Sequence, residues 1–146
     1  MTGNRETIAI ASDHAGFDLK EALKGVLQEA GFSPLDLGTN GPASVDYPDF
    51  ADRLAQALAD DKAKRGVLVC GTGIGISIAA NRHRHIRASV VHDVTSARLT
   101  RLHNDANVLC LGARLIGSDV AKDCLRVFLE TDFEGGRHQN RVAKLG

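Results

Sequence analysis

The chain has 146 residues and a mass of 15.5 kDa, and its 18 Lys and Arg residues balance its 18 Asp and Glu residues, so the formal net charge is zero. A domain that binds nucleic acid mainly through phosphates would be expected to carry a basic excess, so this balance argues against a nucleic-acid partner. No segment approaches the roughly 20 apolar residues needed to cross a bilayer, and the opening residues lack the apolar run of a signal peptide, which argues against a membrane partner.

Five short aliphatic runs alternate with segments of helical periodicity from residue 7 to about residue 131. This alternation is typical of βαβ units around a parallel sheet. Each run is nearly continuous in apolar residues, as expected for strands covered on both faces. The predicted strands are residues 7–12, 33–37, 66–70, 86–91 and 108–111. The sequence therefore predicts an α/β fold with a doubly wound, five-stranded parallel sheet.

Five amphipathic helices are predicted between and after these strands. In the first, apolar residues at positions 19, 22, 23, 26 and 27 follow helical spacing, and Gly31 is a natural stop. Pro48 suits the first turn of the second helix. The remaining helices are predicted at residues 74–81, 94–102 and 120–129. The core stripe predicted for the last of them is Val120, Cys124, Val127 and Phe128.

The pattern ends near Thr131, and a polar tail with a Gly135-Gly136 break follows. We take residues 1–131 as one domain and residues 132–146 as a C-terminal tail. Arg137, His138 and Arg141 form a cationic cluster in this tail. A solvated charged tail is the usual meaning of such a run. The alternative is a phosphate clamp, because the guanidinium fork matches phosphate oxygens.

The strongest local signal is the glycine-rich segment VLVCGTGIGISIAAN, in which Gly71, Gly73 and Gly75 connect a buried strand to a helix of small residues. Backbone amides of such a loop, together with the positive end of the helix, form a site for an anion or a developing oxyanion. The glycine spacing departs from the dinucleotide fingerprint GxGxxG. A tight strand-to-helix turn without a ligand remains the alternative.

Cys70 differs from the other two cysteines in its predicted position. It lies at the carboxyl end of a strand and at a helix N-terminus, where α/β sheets bind ligands and where a thiolate is stabilised. Cys70 is therefore a candidate thiolate base. Cys110 and Cys124 are expected to be small core residues. Three cysteines in a chain of this length are expected to be reduced thiols, and the lack of an apolar signal-peptide run predicts a cytoplasmic location.

Two further loops carry candidate site residues. Asp13 and His14 end the first strand and share a sheet edge with Cys70, although Asp13 also suits a helix cap and His14 an incidental surface position. His103 and Asn104 precede the fifth strand, at the opposite edge. A strand of five or six residues is roughly 17 to 20 Å long, so His103 cannot easily reach Cys70 of its own chain. It either complements its helix dipole or serves the site of another subunit.

Five blocks of the chain, in order and with their spacing intact, resemble the type B ribose-5-phosphate isomerases, in the family shared with galactose-6-phosphate isomerase. The blocks are SDHAGF, DYPDFA, CGTGIGISIAANR, RLHNDANVLCLGAR and EGGRHQNRV. The resemblance implies a Rossmann-like three-layer α/β/α fold and a homodimer whose subunits share active sites. It leaves open whether two dimers pair into a tetramer. It also implies an enzyme without metal or cofactor that interconverts D-ribose 5-phosphate and D-ribulose 5-phosphate through an enediolate, in the pentose phosphate pathway.

The resemblance assigns the proton transfer to the glycine loop. Cys70 would be the general base between C2 and C1 of the open-chain sugar. The amides of the loop that contains Gly71, Gly73 and Gly75 would hold the enediolate oxygen, with Thr72 assisting proton transfer to it. One branch of the family has a glutamate base at the position of Ile76 and lacks the thiol. The present sequence has the thiol and lacks the glutamate, so the resemblance implies the cysteine-type mechanism.

The resemblance assigns substrate binding to the remaining residues. Asp13 and Tyr47 would contact the sugar hydroxyls. From the other subunit, His103 would open the furanose ring, with Asn104 beside it. The phosphate would be held by His14, Arg137 and Arg141, and the tail would thereby take part in the dimer contact.

Three other functions share some of these sequence features. An isomerase of another sugar phosphate, such as allose 6-phosphate or galactose 6-phosphate, would use the same residues. A non-catalytic nucleotide-binding module rests only on a weak glycine-loop analogy. A phosphatase with Cys70 as nucleophile is disfavoured, because the loop has no arginine nearby in sequence.

Overall fold

The computed structural model describes residues 5–146, and residues 1–4 at the start of the predicted domain lie outside the described residues. The strands are β1 (Thr7–Ser12), β2 (Ser33–Asp36), β3 (Arg65–Cys70), β4 (Ala88–Val90) and β5 (Val108–Gly112). The helices are α1 (Phe17–Glu29), α2 (Tyr47–Ala59), α3 (Ile74–Ala80), α4 (Val94–Asn104), α5 (Ser118–Glu130) and α6 (Arg137–Ala143). Within residues 5–146, no helix has the length and apolar character required to span a membrane.

The five strands form one parallel sheet in the order β2-β1-β3-β5-β4. The predicted five-stranded parallel sheet is therefore confirmed. The strand order changes direction between β1 and β3, which is the position where open α/β sheets bind ligands outside the carboxyl ends of their strands. Ser12 pairs with Val69 and Cys70 pairs with Gly112 in this register, so three strands end side by side there.

Alternate residues of the strands pack into two separate cores, because successive side chains of a strand point to opposite faces. One core joins Ile8, Ile10, Val67 and Leu109 to apolar residues of α1, α4 and α5. The other joins Ala9, Leu68, Cys70 and Cys110 to α2 and α3. Helices thus cover both faces of the sheet, and the Rossmann-like three-layer α/β/α architecture is confirmed.

The predicted stripe of α5 is wrong at Val120, which is 41% exposed. The buried face of α5 contains Ala121, Cys124, Leu125 and Phe128. These residues recur at i, i+3, i+4 and i+7, the spacing of one helix face. Val120 precedes Ala121 by about 100° of helical rotation and therefore points away from the core. Val127 is partly buried against the same core.

The polar tail predicted beyond Thr131 contains a helix, α6, that the sequence analysis missed. Gly135 and Gly136 both have positive φ, 73° and 56°, a conformation that other residues rarely adopt, and α6 begins directly after them. His138 is the one residue of α6 that is buried. The helix has seven residues and no apolar stripe, so helical periodicity could not reveal it. The Glu134 amide donates to the Leu102 carbonyl at 3.2 Å, which ties the tail to α4.

Candidate active site

Cys70 ends β3 and is 4% exposed. Its Sγ accepts a hydrogen bond from the backbone N–H of Gly73 at 3.1 Å. Gly73 has a φ of +78°, and a methyl group there would lie 2.9 Å from the carbonyl carbon of Leu111. Only glycine fits this turn without displacing β5. The turn aims a backbone amide at the sulfur, where it can stabilise negative charge.

Thr72 and Arg114 flank this turn. The Thr72 hydroxyl accepts a hydrogen bond from the Ile74 amide at 3.1 Å, at the start of α3. Arg114 donates its backbone N–H to the Gly71 carbonyl at 2.9 Å, and its Nη1 lies 3.3 Å from the position of a methyl group built on Gly71. The loop thus lies beneath a guanidinium group that the sequence analysis missed. Arg114 follows the carboxyl end of β5. The carboxyl ends of parallel strands meet at one edge of the sheet, and this rule, which placed Asp13 beside Cys70, would also have placed Arg114 there.

The loop after β1 lies beside the end of β3, because the Asp13 amide donates to the Val69 carbonyl at 3.2 Å. The buried Asp13 carboxylate accepts the Gly16 N–H at 3.1 Å, in the turn before α1, whereas the N-cap residue of α1 is Gly16 and has no side-chain cap. His14 Nδ1 accepts the Val45 N–H at 3.2 Å. A backbone N–H can only donate a hydrogen bond, so His14 Nδ1 is the acceptor and carries no proton. In the neutral ring, the proton is therefore on Nε2. His14 is therefore held in place by the loop before α2.

Tyr47 is the first residue of α2, and its ring packs over the start of α3. A methyl group on Gly75 would lie 2.6 Å from Tyr47 Cζ and 2.9 Å from its hydroxyl oxygen. Gly75 is needed here because the aromatic ring occupies the space of a side chain. The residues gathered at this side of the sheet are named the carboxyl-edge cluster, which consists of Asp13, His14, Tyr47, Cys70, Gly71, Thr72, Gly73, Gly75 and Arg114.

A second group of predicted site residues lies at the other edge of the sheet. His103, in the last turn of α4, stacks on His138 with ring centroids 4.4 Å apart and planes inclined by 22°. Arg141 Nη1 lies 3.5 Å from His138 Nδ1, and Asn104 lines the same open cavity of about 300 Å³. Arg137 begins α6. We name His103, Asn104, Arg137, His138 and Arg141 the amino-edge cluster.

The structure does not bring the two clusters together within one chain. β3 runs from Arg65 at the amino edge to Cys70 at the carboxyl edge, and the five steps between these residues, at about 3.3 Å each, separate the edges by about 17 Å. His103 precedes the start of β5, which pairs with the start of β3 through Val108 and Gly66. This chain therefore presents its predicted site residues as two groups on opposite edges of the sheet.

The titratable groups near these clusters differ in their surroundings. Burial lowers the pKa of His138, and the charges of His103, Arg137 and Arg141 lower it further, although Glu134 opposes this. His138 is therefore neutral at neutral pH. Burial raises the pKa of Cys110 well above its usual range and that of Cys124 to about 11. These two thiols are buried core residues, as predicted, and all three cysteines are free thiols.

The fold and the carboxyl-edge cluster define an α/β protein with a glycine-rich loop at the switch point of a parallel sheet, beside a thiol and a guanidinium group. A sequence model of the family described as Ribose/Galactose Isomerase matches residues 8–145. The chain belongs to the ribose/galactose isomerase family, and the resemblance found in the sequence is confirmed.

Relatives and solved structures agree with this assignment over nearly the whole chain. The chain is 46% identical to ribose-5-phosphate isomerase B of Escherichia coli, over 92% of this chain and 91% of that protein. It is 43% identical to D-erythrulose-4-phosphate isomerase of Pectobacterium atrosepticum, over 96% and 93%. The structure of Clostridium thermocellum ribose-5-phosphate isomerase B matches with a TM-score of 0.94 and 47% identity, covering 96% of this chain and 95% of that one.

Proposed function

We propose that the chain is an aldose–ketose isomerase that interconverts D-ribose 5-phosphate and D-ribulose 5-phosphate, and that it acts in the pentose phosphate pathway. The observation that carries this proposal is the Cys70 sulfur, held under the Gly73 amide at the carboxyl end of β3. The names of the Escherichia coli and Clostridium thermocellum relatives support the choice of substrate.

The proton transfer is assigned to Cys70 and its loop. The thiolate removes the proton from C2 of the open-chain aldose, and the C2–H electron pair forms the C1=C2 bond of an enediolate. The charge that develops on O1 is stabilised by the loop amides between Gly71 and Gly75. Thr72 relays a proton between O2 and O1, and the Cys70 thiol then protonates C1 to give the ketose. Each proton removed is returned, so the reaction needs no external oxidant or reductant.

Substrate binding in this proposal uses the rest of the carboxyl-edge cluster. Asp13 and Tyr47 contact the sugar hydroxyls. His14 directs Nε2–H toward the phosphate, because its Nδ1 is already occupied by the Val45 amide. Arg114 adds a guanidinium group beside Gly71, where it can help to bind an anion. The sugar and its phosphate are thereby held next to the base, which lowers the entropic cost of reaching the transition state.

The amino-edge cluster is assigned to the site of a second copy of the chain. In a homodimer, His103 of one subunit opens the furanose ring bound next to Cys70 of the other, with Asn104 beside it. Arg137 and Arg141 of that subunit bind the phosphate. Ile74 and Ile78, one turn apart on α3, are 50% and 51% exposed. They offer apolar surface next to the glycine loop for such a contact between subunits. A tetramer made of two such dimers is compatible with the same proposal.

A cytoplasmic location is part of the same proposal. The three cysteines are free thiols, as is usual for proteins of a reducing compartment, and a sugar phosphate substrate is an intracellular metabolite.

The same reaction on another sugar phosphate is the second candidate function. The family description includes galactose isomerases, and the Pectobacterium relative is named for a four-carbon substrate. The residues that move the proton would be unchanged, because only the length and stereochemistry of the bound sugar differ.

Arg114 also weakens the sequence argument against a phosphatase, since an arginine does lie beside the loop.

A substrate panel separates these functions. Metal-stripped protein is assayed with ribose 5-phosphate, allose 6-phosphate, galactose 6-phosphate and erythrulose 4-phosphate, and release of inorganic phosphate is measured in parallel. We expect the highest kcat/KM with ribose 5-phosphate and no phosphate release. A higher value with a four- or six-carbon sugar would assign the second function. Tight nucleotide binding without turnover of any sugar phosphate would contradict both.

A further inference from the structure

Two histidines of the amino-edge cluster and the neighbouring Glu134 form a group of metal-ligand type. His103, Glu134 and His138 each offer one ligand atom, and these atoms lie within 4.8 Å of one another. Two imidazoles and a carboxylate are a common zinc donor set. The proposed ring opening uses His103 alone and gives Glu134 no task, so the proximity of the three groups is unexplained by it.

His138 supplies a second, independent indication of a ligand. It is 5% exposed, and its Nε2 is buried without a hydrogen-bond partner among residues 5–146. Its other ring nitrogen lies 3.5 Å from Arg141 Nη1. Buried polar atoms in proteins are nearly always paired, so an unpaired nitrogen marks a place where a bound group would be stabilised.

The charges around this group determine how tightly it would hold an ion. Arg141 lies next to His138, with its Nη1 3.5 Å from His138 Nδ1, and Arg137 directly precedes His138 in α6. Both guanidinium groups repel a cation. We therefore expect reversible binding of an added ion rather than a permanently held metal.

We propose that His103, Glu134 and His138 bind a zinc-type divalent transition-metal ion, and that this ion inhibits the isomerase by occupying His103. Binding depends only on the three side chains, whereas inhibition rests on the proposed function. Tetrahedral zinc with bonds of about 2.1 Å places its ligand atoms roughly 3.4 Å apart. His103 is half-buried and Glu134 is exposed, so both can turn to close this distance, and the stacked rings separate as they do.

The test measures zinc binding and isomerisation separately. Metal-stripped protein in a phosphate-free buffer competes with a chromophoric chelator for Zn²⁺, and turnover of ribose 5-phosphate is followed at the same free Zn²⁺ concentrations. Glu134→Gln removes the carboxylate ligand from an exposed position that has no role in the proposed reaction. Glu130→Gln is the matched control, because Glu130 is also exposed and lies outside the group. Cys70→Ala tests whether Zn²⁺ is bound by the Cys70 thiol instead of by His103, Glu134 and His138.

We expect one Zn²⁺ per chain, loss of turnover on binding, and recovery with a chelator. Glu134→Gln should weaken both binding and inhibition at least tenfold while keeping metal-free turnover, whereas Glu130→Gln should match the unmodified chain. Equal zinc affinity in Glu134→Gln, or loss of binding in Cys70→Ala, would overturn the site. Zinc binding with unchanged turnover would overturn the inhibition. Should the metal-free protein prove inactive, the proposed function fails, while the chelator competition still decides the metal site.

Discussion

The hydrogen bond to the Cys70 sulfur depends on the backbone conformation of Gly73, three residues further along the chain. The Gly73 amide reaches the sulfur at 3.1 Å only because Gly73 adopts a φ of +78°. A side chain at position 73 would be strained in this conformation and would also press against the Leu111 carbonyl group. The chemistry of the thiol is therefore coupled to a residue that carries no functional group.

The variant Gly73→Ala tests this coupling. We expect kcat to fall at least tenfold and the free energy of unfolding to fall by about 1–3 kcal/mol, the usual cost of such backbone strain. Turnover and thermal unfolding are measured together. Gly41→Ala serves as the control, because a methyl group at Gly41 meets nothing within 4 Å. Unchanged turnover in a folded Gly73→Ala protein would show that the amide does not assist the sulfur.

At the scale of elements, a group of charges joins α1 to the end of β2 and thereby to the site. Lys20 is fully buried on α1, and its Nζ lies 2.7 Å from Asp36 and 2.9 Å from Glu21. The other oxygen of Asp36 accepts the Gly38 amide at 2.9 Å, and the Gly38 carbonyl accepts the Ser12 amide at 2.8 Å. The residue before Asp13 is thus held by a carboxylate on the neighbouring strand.

The lowered pKa of Asp36 predicts that the stability of the fold depends on pH. Burial alone would raise the pKa of Asp36, but hydrogen bonds from Lys20, Lys24 and the Gly38 amide outweigh burial and lower it below 3.8. A lowered pKa means that the stabilisation is present above about pH 3.8 and is lost as the pH falls through the folded-state value. We expect Asp36→Asn to cost about 3 kcal/mol at neutral pH, because Lys20 loses a buried partner.

Urea unfolding across a pH series measures this difference, which should shrink below about pH 4. The exposed Asp123, paired with Arg126 at 3.2 Å, provides the comparison. Asp123→Asn should change the free energy of unfolding by no more than about 0.5 kcal/mol. A cost for Asp36→Asn that stays constant down to pH 2 would contradict the role of its charge.

At the scale of the whole molecule, the proposed site is divided between opposite edges of one sheet, so the proposal needs a second copy of the chain. The sheet separates Cys70 from His103 by the length of β3. In a twofold dimer, each contact is made twice, so two amino-edge clusters complete two carboxyl-edge clusters. The zinc site proposed above would then lie at a subunit boundary.

Subunit complementation tests this arrangement. Cys70→Ala and His103→Gln chains are co-expressed with different tags, and the mixed dimer is purified through both. One of its two sites is then intact, so we expect about half the turnover of the unmodified dimer. Each variant alone should have far lower turnover. A mixed dimer no more active than its parents would mean that both residues serve the same chain's site.

The elements were predictable wherever the apolar pattern was strong. β1 has the predicted bounds, and the shared edge of parallel strands placed Asp13 and His14 beside the loop of Cys70. The edge strand β4 is shorter than predicted, because only residues 88–90 pair with β5. The short α6 and the burial of His138 were not predictable, since they depend on contacts with α4 and not on an apolar period. Arg114 was also predictable, because it follows the carboxyl end of β5 just as Asp13 and His14 follow that of β1.

The proposed isomerisation depends on proton transfer by the Cys70 sulfur, which the kcat of the variant Cys70→Ala measures. Cys110→Ala is the matched control, because Cys110 faces the same core from the adjacent strand but lies away from the sheet edge. We expect Cys70→Ala to remain folded and to lose on the order of 10²- to 10⁴-fold in kcat, the usual contribution of a general base, while Cys110→Ala stays active. Turnover by folded Cys70→Ala within tenfold of the unmodified protein would contradict the assignment.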